Sequence, residues 1–295
     1  MYGLWILAGL AAFAAVLAFE KKQALPALLT ALISAATGFA AAKAGYVLLQ
    51  LESTLFYDGL AAFFNGKASS FSFFFGAAGV FGGVCLSAKL LHQPVRYWAN
   101  LSSPGIALLI AFLRAGEKAL GTIGVGGFVP ENSPFAQFPF AIPNSYGEYL
   151  YAVFYLEALF ALLLAAILLF CRKGKWFDWR TQLCAFFLAA PQVLCESLRA
   201  RCIRWGFVRA EQLLCALLML GLLACACYRM ADSMPPARRY WRVGAAVLLM
   251  VSIGLLEYAL DKTGIPVPVC YAMMAGALIL FGAMEIRALQ KTAQQ

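Results

Sequence analysis

The chain reads as an all-α, polytopic membrane protein, and three observations predict it. Of its 295 residues, 63% are hydrophobic and 13% charged, where a water-soluble domain carries about 25% charged residues. Mean hydropathy is +0.79. Apolar runs of the roughly 20 residues needed to cross a bilayer as helix recur along the whole chain, and the alternating segments of a membrane β-barrel are absent. No cleavable signal peptide is expected, because the first apolar run begins at Tyr2 with no basic stretch before it.

Nine spans are expected, near 2–19, 26–50, 71–91, 98–115, 149–171, 181–197, 207–228, 241–260 and 267–287. The fourth and sixth are interrupted by polar residues and prolines. Between the second and third, the segment at 54–65 (TLFYDGLAAFFN) reads as an interfacial helix. Between the fourth and fifth, Gly121 to Gly147 is rich in Gly, Pro and aromatics. A loop of that length in a chain of otherwise short connections points to function. Tyr57, Phe63, Phe64, the Phe71–Phe75 run and Phe135 to Phe140 are expected at the bilayer interface.

Charge sets the expected orientation. With the N-terminus outside and the C-terminus cytoplasmic, fourteen of the 23 basic residues fall in inner loops, and Lys43 lies within a span. Eight stand outside: Lys67, Arg114, Lys118, Arg199, Arg201, Arg204, Arg209 and Lys262. The opposite orientation would reverse the bias that normally marks cytoplasmic loops. Five of the eight are arginines gathered in two places, around 114 and 199–209. The planar guanidinium fork suits two-point contact with phosphate or carboxylate. A basic cluster held on the far side of the membrane is accounted for by an anionic substrate such as a phospholipid head group.

The net charge of +9 is spread over short loops between spans, which fits an anionic membrane surface and not nucleic acid. The nine cysteines form no C-x-x-C pair and His92 is the only histidine, so neither a zinc site nor another metal centre is expected. Gly121, Gly124, Gly126 and Gly127 match no nucleotide fingerprint, and no P-loop lysine follows them. No cofactor is expected.

Arg114 and Glu117 share a helix face, as do Glu196 and Arg199, so each i, i+3 couple is placed to pair. An arginine inside a span is costly and is a functional candidate by default. Four segments then carry a resemblance to the bacterial prolipoprotein diacylglyceryl transferase family. Tyr2-Gly3-Leu4 resembles its opening Y-G-L. In the signature D-x-x-A-P … G-R-x-G-N-F-x-N-x-E, Asn100 stands for the Asp, Pro104 matches, Arg114 takes the arginine position and Gly116 follows. Phe154-Tyr155-Leu156-Glu157-Ala158 resembles Q-L-Y-E-A, and Glu196-Ser197-Leu198-Arg199 with Gln212 resembles the closing E-x-x-R and its downstream Gln. The chain also departs from the pattern. Phe74 stands where the family has a histidine, Glu117 replaces its first Asn, Leu120 and Thr122 replace the N-x-E, and Gln192 replaces an arginine.

The resemblance implies a diacylglyceryl-transferase-like transmembrane domain over 1–228, with a long outer loop at 116–148. A two-helix C-terminal extension follows over 229–295. It implies a transferase of a bacterial cytoplasmic (inner) membrane, acting on phosphatidylglycerol with prolipoprotein signal peptides as partners. Arg114, Glu117, Glu196 and Arg199 are then the candidate catalytic residues. Tyr2, Asn100, Glu157, Gln192, Arg201, Arg204 and Gln212 are candidates for substrate binding. The lost histidine keeps open a non-catalytic lipid- or lipoprotein-binding homologue.

Overall fold

A computed structural model describes residues 1–51, 59–64, 71–121, 124–171, 176–200, 202–205, 208–229, 235–262 and 265–292. Among these residues, nine helices are long and apolar enough to cross a membrane. In chain order they are α1 (Tyr2–Lys21), α2 (Ala24–Leu49), α3 (Phe73–Leu90), α4 (Val95–Gly116), α5 (Val153–Phe170), α6 (Arg180–Leu198), α7 (Ala210–Arg229), α8 (Pro236–Lys262) and α9 (Val267–Thr292). The protein is an all-α, multi-pass membrane protein with small strand additions. The expected interfacial helix at 54–65 appears as a 3-10 turn over Gly59–Phe64, and its remaining residues lie outside the described ones.

Packing divides the chain into two compact units. The first holds Met1–Cys184 and Leu198–Ile203, and the second holds Ala185–Ser197 and Arg204–Gln295. Helix α6 belongs to both.

In the first unit α4 is the central helix, with 78% of its apolar window buried. It is encased on all sides, which is why Asn100, Ser102, Ser103 and Arg114 are buried within a span. α1 runs antiparallel to it through close contacts at small residues. A methyl group on Gly116 would meet Trp5 at 2.6 Å, one on Gly9 would meet Leu109 and Phe112 at 3.0 Å, and Phe13 fills the space over Gly105. α2 and α3 meet the same way, through Gly38, Gly45, Gly79 and Gly83. The Thr37 hydroxyl crosses that interface to donate to the Gly79 carbonyl at 2.8 Å. In lipid no hydrophobic force drives helix association, so small residues that admit the neighbouring backbone do the work.

The apolar run near 149–171 divides in two. Tyr149–Tyr151 is a strand, and the helix begins only at Val153. The long loop folds as a three-stranded antiparallel sheet of β1 (Phe128–Val129), β2 (Ala141–Pro143) and β3 (Tyr149–Tyr151), with β3 in the middle. Val129 pairs with Tyr149 and Ile142 with Leu150. Its inner face packs Val125, Leu150 and Ala152 on Phe154 of α5. Strands this short follow from pairing and burial, not from local propensity.

In the second unit the C-terminal half of α6 packs with α7 and α9, and α8 packs with both of these. Phe186 meets Phe281 edge-on at 5.3 Å. α8 is mostly lipid-facing, with 11% of its window buried. A two-stranded pair, β4 (Arg204–Trp205) and β5 (Val208–Arg209), leads into α7.

Candidate functional site

At the N-terminal face of the first unit, the ends of three helices converge. Arg114 sits in the last turn of α4, Glu117 follows in a 3-10 turn (Glu117–Leu120), and Glu157 lies in the second turn of α5. Arg199 comes just after α6, where its backbone bridges to Gly126. Arg114 Nη1 donates to Glu117 Oε1 at 2.5 Å, and its Nε stands 2.9 Å from Glu157 Oε2. Arg199 grips Glu157 with both edges of its fork, Nε to Oε1 at 3.1 Å and Nη2 to Oε2 at 2.5 Å. The same Nη2 reaches Glu117 Oε2 at 3.3 Å. The Arg114 guanidinium also rests on the Phe73 ring, 3.5 Å from its centre.

Two arginines and two glutamates thus close a neutral ring. Arg114, Glu117 and Glu157 are each at most 9% exposed. A buried charge is tolerable only when paired and hydrogen-bonded. Here each carboxylate serves both guanidiniums, so desolvation is offset on every side. The arrangement also leaves two cations poised together in a low-dielectric site, where an incoming anion could exchange with a carboxylate.

The sheet segment lies directly over this ring. Gly124 has φ +79, and a methyl group there would strike the Glu117 carboxylate. Val125 accepts a backbone hydrogen bond from Ala200 at 3.0 Å. A methyl group on Gly126 would meet the Leu198 carbonyl at 2.7 Å. Glycine is required at 124 both for the left-handed backbone and for the close approach to the ring. Tyr2, at the start of α1, lies one turn before Trp5, which packs over Gly116 next to the ring. Lys43, buried in α2, places its ammonium 5.1 Å from the centre of the Phe71 ring.

The second unit holds a separate polar cluster. Arg209 Nε donates to Glu257 Oε1 at 2.8 Å, and its Nη1 donates to the Glu196 carbonyl at 2.5 Å, close to the C-terminus of α6. A cation there suits the negative end of the helix dipole. Gln212 donates to Glu257 Oε2 at 3.3 Å and to the Val193 carbonyl at 3.1 Å. The buried Gln192 amide donates to Glu196 Oε2 at 3.2 Å. Glu257 was not singled out by the sequence, since it lies on a helix outside the resembling segments.

Of the residues picked from sequence, Arg114, Glu117, Glu157 and Arg199 come together, with Tyr2 beside them. Asn100 does not join them. It lies fourteen residues before Arg114 on α4, about 21 Å away at 1.5 Å per residue. Its Oδ1 accepts from the Thr181 backbone N–H at 3.0 Å and from the Thr181 hydroxyl at 2.7 Å, tying α4 to the start of α6. Arg204 is exposed on β4, and Arg201 lies outside the described residues. His92 is exposed in the turn between α3 and α4. Near Asn100, Arg180 forms a two-point ion pair with Glu20 at 2.8 and 2.9 Å, fully buried, which joins α6 to the end of α1. Among the described residues, no three of His, Cys, Asp and Glu gather as metal ligands would.

The chain matches no family model, no curated protein and no solved structure.

Proposed function

We propose that this protein is a phospholipid-using transferase of a bacterial cytoplasmic membrane, related in mechanism to prolipoprotein diacylglyceryl transferase. In this reading the N-terminus is outside and the C-terminus cytoplasmic, so the ring of Arg114, Glu117, Glu157 and Arg199 faces the outer leaflet. One observation carries the reading. Two arginines separated by 85 positions in the chain meet over two shared carboxylates at a helix-end site inside a membrane domain.

The chemistry follows from that pairing. The phosphate of phosphatidylglycerol enters and displaces a carboxylate from the two guanidiniums. The bond between a glycerol carbon of the diacylglyceryl group and the phosphate oxygen breaks, and glycerol phosphate leaves with its bonding electrons. Arg114 and Arg199 stabilise the charge that develops on it, the role played by preorganised donors in charge-building reactions. The acceptor is a cysteine thiol, whose thiolate attacks the same carbon. A freed carboxylate, Glu117 or Glu157, takes the thiol proton. Glu196, also named by the sequence as a base, belongs to the second unit's polar cluster and takes no part in this step.

The test is transfer of labelled diacylglyceryl from phosphatidylglycerol to a lipobox peptide by purified protein. Removal of one charge-stabilising donor typically lowers turnover about 100-fold or more, and Arg114→Ala should do the same. Transfer that is unaffected by Arg114→Ala would end this reading.

A second reading, a non-catalytic lipid- or lipoprotein-binding homologue, has its own support. Both arginines are already held by carboxylates, and the chain's one histidine is far from the ring, in the exposed α3–α4 turn. Lipid binding without transfer would favour it.

A further inference from the structure

We infer that the β1–β3 sheet is seated in the lipid of the leaflet on the N-terminal side, through an aromatic rim of Phe135, Phe138 and Phe140, in which the Phe135 and Phe140 rings meet edge-on at 5.6 Å. These three side chains are 50, 71 and 53% exposed. Monomeric surfaces rarely leave so many large apolar side chains together in water, so the rim has an occupant.

Its level relative to the membrane is fixed by the fold. The Phe138 ring lies 5.5 Å from the ring of Tyr155, in the first turn of the span α5. The Phe140 carbonyl accepts from the Ala152 N–H at 2.8 Å, one residue before that helix starts. The rim therefore stands level with the end of a membrane-spanning helix, beside a flank of α5 that is itself lipid-exposed at Leu159, Leu162 and Leu163. It continues an apolar surface already in contact with acyl chains.

The polarity of the sheet agrees with that placement. Residues 121–152 hold no lysine, arginine or histidine, and their only acids are Glu131 and Glu148. Glu148 belongs to the turn at the far tip, where Asn144 Oδ1 accepts from the Tyr146 and Glu148 N–H groups at 2.8 and 3.0 Å. Asn144 Nδ2 in turn donates to Glu148 Oε2 at 2.8 Å. A polar, self-satisfied tip and an aromatic rim orient the sheet as an interfacial amphipathic element, held by apolar burial and not by attraction to anionic lipid. The occupant is therefore bilayer lipid and not a protein partner. Because the same sheet covers the arginine ring through Gly124 and Gly126, the roof of that site rests on lipid. The inference depends on the sheet's geometry alone and stands whether or not the ring is catalytic.

The test uses the full chain in nanodiscs of phosphatidylethanolamine and phosphatidylglycerol. Phe138→Cys, Phe140→Cys and Tyr146→Cys are treated with a membrane-impermeant maleimide, and labelling is followed at each site by peptide mass mapping. Positions 138 and 140 should label at least about tenfold more slowly than 146, as burial at the headgroup and acyl boundary demands. In Phe138→Trp, the emission added over the parent should be blue-shifted and quenched by brominated acyl chains. Labelling of 138 as fast as 146, or added emission untouched by brominated lipid, overturns the inference in favour of water or a protein partner. If a cysteine variant fails to fold, the Phe138→Trp result decides.

Discussion

Glu157 is the carboxylate on which the arginine ring depends most, and replacing it gives a sharp expectation. It contacts Arg114 Nε at 2.9 Å and both Nε and Nη2 of Arg199. Glu157→Gln keeps the side-chain shape but leaves Arg114 and Arg199 facing Glu117 alone, so the ring changes from neutral to one excess buried positive charge. Removing one partner of a buried ion pair costs about 3–5 kcal/mol. The amide retains one accepting oxygen, so the low end applies. A loss of about 3 kcal/mol is roughly a 150-fold fall in the folded-to-unfolded ratio. The cost should be partly undone by Arg199→Gln, which removes the excess charge. In a double-mutant cycle the pair should couple by about 2 kcal/mol, the double variant being more stable than the two single losses predict. The assay is reversible unfolding in mixed micelles titrated with denaturing detergent, followed by helix signal. Additivity of the two changes to within about 0.5 kcal/mol would refute the ring as an energetic unit.

Other positions separate backbone, packing and function. Gly121→Ala and Gly124→Ala both force alanine into a φ of +79 that side chains rarely adopt, but only Gly124 has the Glu117 carboxylate in the way. Thermal unfolding should show the larger loss at 124, and equal losses would mean that the roof does not press on the ring. Arg180→Ala should cost about 3–5 kcal/mol in the same unfolding assay by leaving Glu20 buried and alone. It should leave head-group affinity unchanged, because Arg180 is nineteen residues, or about 28 Å, from Arg199 along α6. A matching fall in affinity would contradict that separation. Gly79→Val should disrupt the α2–α3 contact, where backbone of Thr37 lies 2.6 Å from an added methyl group. Gly82→Val, with open space around it, should be tolerated. Comparable yields of folded protein for the two would argue against the small-residue interface.

The membrane character and the helix positions were legible because apolar length is a local property of the chain. Lys21 and Lys22 close α1 close to where the charge pattern ends the first run. The Arg114–Glu117 pair was legible for the same reason, since three residues is one helical turn. The rest of the ring was not. The fork of Arg199 engages Glu157 and Glu117, 42 and 82 residues away, contacts that no local spacing announces. Glu157 was a candidate through a motif resemblance, but its role as the shared acid depends on where α5 begins. That start was itself misplaced by the strand at Tyr149–Tyr151, which continues the apolar run and pairs only because β1 and β2 flank it. Asn100 was a substrate-binding candidate because it lies in one signature with Arg114. Helical rise carries the two apart, and Asn100 instead caps the start of α6. The Glu20–Arg180 pair spans 160 positions, and both residues read locally as ordinary loop charges.

The most direct test of the arginine ring as a head-group site is equilibrium binding of phosphatidylglycerol, with diacylglycerol as the ligand lacking phosphate. The parent protein and the Arg114→Gln/Arg199→Gln variant would be compared in the same nanodiscs. The parent should show a clear preference for phosphatidylglycerol, and the variant none, at unchanged diacylglycerol affinity. Equal binding of the two lipids by the parent, or an undiminished preference without the arginines, would contradict it.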